Sequence, residues 1–268
     1  MIDFSGETWY TLRSGRAGEP RCKIVFIFVG KFIFIEMVNY ENAIAYIETQ
    51  EATDIAYVKI GNNNKNLIVS FASNGHDGFE RKTSLMKKRY ERTDFDVLYL
   101  RNRAKWYLGG LKGIGKNINC TISFLKKEFS KYNKVCCTGN SAGGYASLLF
   151  GSLLNVNCVI TINAQTDLQY VKNEINHSQL IKRAKECPAT WSKYNKISNV
   201  LNNNVSYNVY YKGDDFFQKQ AELKGNVRSL VLHGDYHYEQ IKSFPNVSKF
   251  NSGGDFVPLI EKFLEETS

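Results

Sequence analysis

Lys134-Val-Cys-Cys-Thr-Gly139-Asn140-Ser141-Ala142-Gly143-Gly144-Tyr-Ala-Ser-Leu-Leu-Phe150 is the stretch that decides how this chain is read. A short apolar run with the character of a buried strand enters Gly-Asn-Ser-Ala-Gly, and small and apolar residues at helical spacing follow. A strand, a sharp turn and a helix, with a serine at the apex, make up a nucleophile elbow. Such a turn strains the backbone of its central residue. A side chain two positions to either side would then collide with the strand or the helix, and glycine at both places removes the collision. The competing reading is a glycine-rich turn that only packs closely or binds an anion. Partner residues elsewhere in the chain decide between the two.

Outward from this stretch, strand-like and helix-like runs alternate. Strands are expected over 66–71, 96–100, 158–162, 206–211 and 228–233, with helices over 121–132 and 255–265. In the first helix Ile122, Leu125 and Phe129 share a face, and in the last Phe256, Leu259, Ile260 and Phe263 do. Alternation of this kind implies an α/β fold with a mainly parallel sheet covered by helices on both faces. The chain before about residue 60 reads instead as antiparallel edge strands. Residues 168–204 are polar and Asn-rich, with helix-like stretches at 177–185 and 191–201, and read as a small lid-like insertion. No repeat or linker divides the chain, so residues 1–268 are expected to form a single domain.

Composition narrows the class. With 268 residues, 43% of them hydrophobic, the chain can bury one sizeable core. The six cysteines include no Cys-x-x-Cys pair and no Cys/His cluster at metal-binding spacing. Neighbouring Cys136 and Cys137 read as small buried hydrophobes, which favours a reducing compartment over a disulfide framework. The start, Met1-Ile-Asp-Phe-Ser-Gly-Glu, lacks the basic and apolar regions of a secretory signal, so a cytoplasmic location is expected. The apolar run 22–36 contains Lys23, Lys31 and Glu36 and breaks at Gly30-Lys31. It therefore reads as two strands rather than a membrane span. A formal charge of +9 would suit an anionic partner, yet the basic residues are dispersed and accompany no nucleic-acid-binding motif. The clusters at 87–92 and 101–105 read as solvated surface.

A serine hydroxyl needs a base to take its proton, and the base needs an acceptor to orient it. On a sheet of this kind the parts follow in the order serine, acid, histidine at successive strand ends. Lys212-Gly-Asp214-Asp215 follows the strand at 206–211, and Gly234-Asp-Tyr-His237 follows the strand at 228–233. His237 is the expected base, ahead of His233, which falls within the strand. His177 and His76 fit less well, the first in the lid-like stretch and the second before the serine. Either Asp215 or Asp214 is the expected acid, with Asp215 ahead because it lies further into the loop. The oxyanion would be held by the backbone N–H of Ala142, at the start of the helix, and by a second donor among Ser73, Asn74 and Gly75. No metal or organic cofactor is required.

With these parts in order, residues 20–268 resemble the α/β-hydrolase superfamily. Three segments are similar to a bacterial branch associated with capsule and surface-polysaccharide biosynthesis and with accessory-secretion adhesin acetylation. They are Val-Leu-Tyr-Leu-Arg-Asn102 continuing to Trp106-Tyr107-Leu-Gly-Gly, the Phe-Ala-Ser-Asn74 loop, and Ala164-Gln165-Thr166-Asp167. Asn102 stands where that branch usually has aspartate. The resemblance implies a serine esterase or acyltransferase acting through an acyl-enzyme on a small-molecule or glycan acyl ester, O-acetyl groups on a sugar included. The alternative is a binding or scaffold protein that kept the fold without its activity. Trp106, Tyr107 and Trp191 are expected in the core rather than stacked on a sugar.

Overall fold

The computed structural model describes residues 9–14, 22–29, 32–36, 44–45, 47, 50, 53–58, 65–73, 79, 85, 94–101, 106–174, 178–210, 230–233 and 257–265. The first three strands, β1 (Trp9–Ser14), β2 (Cys22–Val29) and β3 (Phe32–Glu36), pair antiparallel in the order β1-β2-β3. They form a sheet of their own. The run 22–36 is thus the strand pair expected from sequence, with Val29 opposite Phe32.

Among the described residues the main sheet has seven strands. Its members are β4 (Ile55–Val58), β5 (Asn66–Phe71), β6 (Phe95–Leu100), β7 (Lys134–Asn140), β8 (Cys158–Ile162), β9 (Ser206–Tyr210) and β10 (Leu230–His233), in the order β10-β9-β8-β7-β5-β6-β4. All pairings are parallel except β4 with β6. The early chain therefore contributes one antiparallel edge strand to the main sheet, and its other three strands pair among themselves.

β6 and β8 are buried along their whole length, because helices cover both faces of the sheet. Alternation sorts their side chains into two layers. Val69, Leu98, Cys137 and Val159 pack on one face with α1 (Ile118–Phe129) and α2 (Ala142–Leu153). Ile68, Val97, Cys136 and Ile160 pack on the other with Ile260, Phe263 and Leu264 of the C-terminal helix, Val257–Glu265. Cys136 and Cys137 are free and fully buried, one in each layer. Burial pushes both thiols well above the ordinary cysteine range.

α1 begins three residues earlier than its apolar spacing implies. The side chain of Asn117 accepts a hydrogen bond from the N–H of Cys120 at 3.1 Å and starts the helix there. α2 is buried on every side from Ala142 to Ser152. Its outer face is covered by the segment that holds α3 (Leu168–Glu174), α4 (Ser178–Glu186), α5 (Pro188–Tyr194) and a 3-10 turn at Ile197–Asn199. Leu168, Val171, Leu180, Trp191, Tyr194 and Ile197 of this segment belong to the same apolar layer as Tyr145 of α2. The Tyr145 hydroxyl donates to the carbonyl of Tyr194 at 2.7 Å. No helix among the described residues is long and apolar enough to cross a membrane.

One basic residue departs from the solvated surface expected of its cluster. Arg101, at the end of β6, is buried. Its guanidinium donates to the carbonyls of Thr53, at 2.9 Å, and Gln50, and lies 4.4 Å from the Phe79 ring centroid. It fastens the chain entering β4 to the end of β6.

Candidate active site

The order of the central strands creates the site. The chain passes from β5 to β6 on one side, then crosses to β7 on the other side of β5. The connections diverge at this point, and the carboxyl ends of strands at such a divergence are where open α/β sheets place their ligand sites. Phe71, the last residue of β5, is the register partner of Gly139, the next to last of β7. Ser141 sits immediately beyond.

Ser141 has φ 52° and ψ −117°, a conformation that a non-glycine residue adopts only under strain of about 1–3 kcal/mol. Its surroundings enforce it. The N–H of Ser141 donates to the Ile162 carbonyl at 3.1 Å, prolonging the ladder with β8, while its own carbonyl accepts from the N–H of Tyr145 at 3.0 Å as the first bond of α2. The residue is thus pinned as strand on one side and helix on the other. The flanking glycines behave as the sequence implied. A Cβ on Gly139 would lie 2.8 Å from the nitrogen of Gly144 and closer still to the carbonyl of Gly143. A Cβ on Gly143 would lie 2.9 Å from the carbonyl carbon of Phe71 and 3.0 Å from that of Ala72. The turn has the geometry of a nucleophile elbow, and the sheet around it gives the chain an α/β-hydrolase fold.

The close approach of Gly143 to Phe71 and Ala72 sets the start of the expected oxyanion loop against the N-terminus of α2. Ala142 is the first residue of that helix and is buried; N–H groups in a helix's first turn have no partner within the helix. Ser73, on the other wall, is buried as well. Asn74 and Gly75, the other residues expected there, lie outside the described residues. So do Asp214, Asp215 and His237, and also His76 and His177. The strands that precede the acid and base segments are described. β9 and β10 run parallel to β7, with Tyr210 and His233 as register partners at their carboxyl ends.

Two nearby residues, Tyr107, expected only as a core aromatic, and Gln165, given no role of its own, make contacts that hold parts of the site. The hydroxyl of Tyr107 is shared between the carbonyls of Ala72, at 2.8 Å, and Leu100, at 3.1 Å, so it ties down the chain as it leaves β5. The ring meets Phe71 and Phe150 edge-on, with centroids 5.5 and 6.4 Å away. Trp106 and Tyr107 hold φ values of 51° and 59°, the left-handed region, and both are buried, as is Trp191. The need of a buried tyrosine for a hydroxyl partner was the available signal. The second residue is Gln165, whose N–H donates to the Ser141 carbonyl at 3.4 Å.

No family model matches the chain, and neither does any curated protein. Among solved structures it is similar to a glycosylation-associated protein (Gap123) complex from Streptococcus agalactiae, with 16% identity and a TM-score of 0.46. That match takes in 72% of this chain but only 44% of the other, so the chain spans less than half its length. It is also similar to the capsule O-acetyltransferase of Neisseria meningitidis serogroup A, at 13% identity and TM-score 0.48, over 85% of this chain and 96% of that one. The S-formylglutathione hydrolase of Staphylococcus aureus matches at 13% identity and TM-score 0.45, over 89% and 97% of the two chains.

Proposed function

We propose that this protein is a serine esterase or acyltransferase in which Ser141 is the nucleophile. The backbone of Ser141 carries the reading. A strained serine between the central strand and a buried helix, packed through glycines against the loop after β5, is a costly arrangement for a turn with no chemical task.

In the proposed cycle His237 takes the proton from the Ser141 hydroxyl as the oxygen attacks an ester or thioester carbonyl. Asp215, or its neighbour Asp214, orients His237 and stabilises the imidazolium. The backbone N–H of Ala142, with Asn74 or Gly75, receives the negative charge that develops on the carbonyl oxygen. The tetrahedral intermediate then collapses. The alcohol or thiol leaves with the proton from His237, and the acyl group remains on Ser141. Water or an acceptor hydroxyl attacks next, giving its proton to His237, which passes it to the Ser141 oxygen as the bond to the acyl group breaks and the product leaves. O-acetyl groups of a bacterial surface glycan are the proposed substrate class, following the three segments that resemble the polysaccharide-associated branch.

A fluorophosphonate probe tests the reading. Covalent labelling of the wild type that vanishes in Ser141→Ala is expected, and a folded wild type that takes no label would refute it. The base assignment has its own test. His237→Ala should abolish turnover of p-nitrophenyl acetate, while His233→Ala should mainly lower stability; the reverse pattern overturns the assignment.

A further inference from the structure

The excursion between β8 and β9 is closed at its base by a clamp that begins one residue after Gln165. Thr166, Asp167 and Leu168 form one arm of the clamp, and Asn195, Lys196 and Ile197 form the other. The N–H of Ile197 donates to the carbonyl of Thr166 at 2.8 Å, and the N–H of Leu168 donates to that of Asn195 at 2.7 Å. Between these bonds Asp167 and Lys196 stand opposite each other as an antiparallel bridge. Their side chains pair, with Lys196 Nζ 3.3 Å from Asp167 Oδ2. The other carboxylate oxygen of Asp167, Oδ1, accepts from the N–H of Tyr170 at 2.9 Å. Asp167 is buried, while the Lys196 side chain is half exposed.

The chain that this clamp fixes is the chain that touches the nucleophile. Ala164 is fully buried against Gly144, and the N–H of Gln165 donates to the Ser141 carbonyl at 3.4 Å. That bond is long for an N–H···O contact, so its own strength does little to keep it. Thr166 and Asp167 follow directly, and their anchoring leaves the Gln165 N–H little freedom to withdraw. The excursion is fastened a second time at Tyr194, whose carbonyl accepts from the Tyr145 hydroxyl of α2 just before the second arm begins. A strained conformation such as that of Ser141 persists only where its surroundings over-determine it. We propose that Asp167 and Lys196 are a positioning pair for the nucleophile. Their ion pair locks the base of the excursion and, through the Gln165 N–H, holds the Ser141 backbone in its reactive geometry. The inference rests on the function proposed above and adds two residues that act through the backbone, neither of them catalytic.

Removing one charge at a time tests the pair. Lys196→Met keeps the side-chain length, and Asp167→Asn keeps an acceptor for the Tyr170 N–H. Each should slow fluorophosphonate labelling of Ser141 about fivefold, well short of the roughly 100-fold of a 1 Å misplacement. In p-nitrophenyl acetate turnover kcat should fall by a similar factor with KM within about twofold, since the serine geometry changes and the binding surface does not. Lys196→Arg keeps the charge and should stay within about twofold of the wild type in both assays. The double variant should lose no more than the worse single one, because both remove the same interaction. Lys182→Met breaks the separate pair with Glu186, at 3.6 Å, and serves as the control with no expected effect. A change confined to KM, equal losses in Lys196→Met and Lys196→Arg, additive losses in the double variant, or wild-type labelling of Lys196→Met overturns the proposal. Amide hydrogen exchange reads the same coupling without any activity. The Gln165 N–H should exchange faster in Lys196→Met than in the wild type, while that of Val159 within β8 should not. Unchanged exchange at Gln165 overturns the positioning pair, whereas a folded wild type that takes no label refutes the nucleophile and leaves the exchange comparison readable.

Discussion

Gly143→Ala tests whether the contact between the elbow and the loop after β5 is as tight as it needs to be for catalysis. The added Cβ would sit 2.9 Å from the carbonyl carbon of Phe71 and 3.0 Å from that of Ala72. The Phe71 carbonyl oxygen would lie closer still, and since non-bonded heavy atoms in good contact stand about 3.5–4.0 Å apart, the helix and the loop must separate by about 1 Å or more. Both obstacles are backbone atoms and cannot rotate away. Overpacking of this sort costs about 1–3 kcal/mol, against about 1 kcal/mol regained from the better helix propensity of alanine. The net loss of about 0–2 kcal/mol corresponds to a fall in Tm of at most about 4–8 °C for a domain of this size. The effect on rate should be larger. The same shift pulls apart the two walls expected to donate to the oxyanion, and misplacement of about 1 Å costs about 100-fold, or about 2.7 kcal/mol of barrier. The assay pairs thermal unfolding with the rate of p-nitrophenyl acetate turnover. Gly151→Ala is the control. Its Cβ would meet the Val159 side chain at 2.5 Å near the far end of α2, so it should lower Tm similarly and leave turnover within about threefold. Comparable activity losses in the two variants, or a Gly143→Ala protein with near wild-type turnover, would refute the reasoning.

Three further outcomes follow from named contacts. Tyr107→Phe removes the hydroxyl shared by Ala72 and Leu100 and should cost about 1–2 kcal/mol by chemical denaturation, with slower labelling of Ser141 as the loop after β5 loosens; unchanged stability would deny the tie. The Thr161 hydroxyl is fully buried and has no partner among the described residues, so Thr161→Val should be neutral or stabilise by up to about 1 kcal/mol, and a clear loss of stability would reveal a hidden bond. Cys136 and Cys137 are buried thiols with raised pKa values, so site-resolved alkylation at pH 8 under native conditions should modify the half-buried Cys120 and Cys187 first. Rapid modification of Cys136 or Cys137 would contradict the packing.

Much of the sheet was legible because its central strands are short, continuously apolar and bounded by turns. The stretch 66–71 was read with the boundaries of β5, and 158–162 with those of β8. Boundaries slipped where a single side chain overrides periodicity. Asn117 starts α1 ahead of its apolar stripe, and Pro188, at the first position of α5, begins a helix that the spacing at 191–201 places later. The separate sheet of β1–β3 was not legible, since an apolar strand's sequence does not name its partner. Arg101 was misread for a related reason. Its neighbours Arg103 and Lys105 suggested solvent, and only the fold brings the carbonyls of Gln50 and Thr53 to its guanidinium.

The elbow was legible for a deeper reason than its pattern. Gly139, Gly143 and Gly144 each answer a different close approach, to α2, to the loop after β5 and to the segment after β8. A side chain at any one of them would push a different neighbour away from Ser141. The three approaches converge on one residue, so the glycine spacing encodes one local contact, within the turn, and two tertiary ones, with segments about 20 and about 70 residues away in sequence. Gln165 shows what that encoding leaves out. Nothing in Ala164-Gln165-Thr166-Asp167 singles out the glutamine until Gly144 seats Ala164 and the Ser141 carbonyl draws in the next N–H. Gly144→Ala should press Ala164 away and shift the neighbouring N–H that meets the Ser141 carbonyl. That variant should slow the labelling of Ser141 by a fluorophosphonate, and labelling at the wild-type rate would show that the segment after β8 does not hold the serine in place.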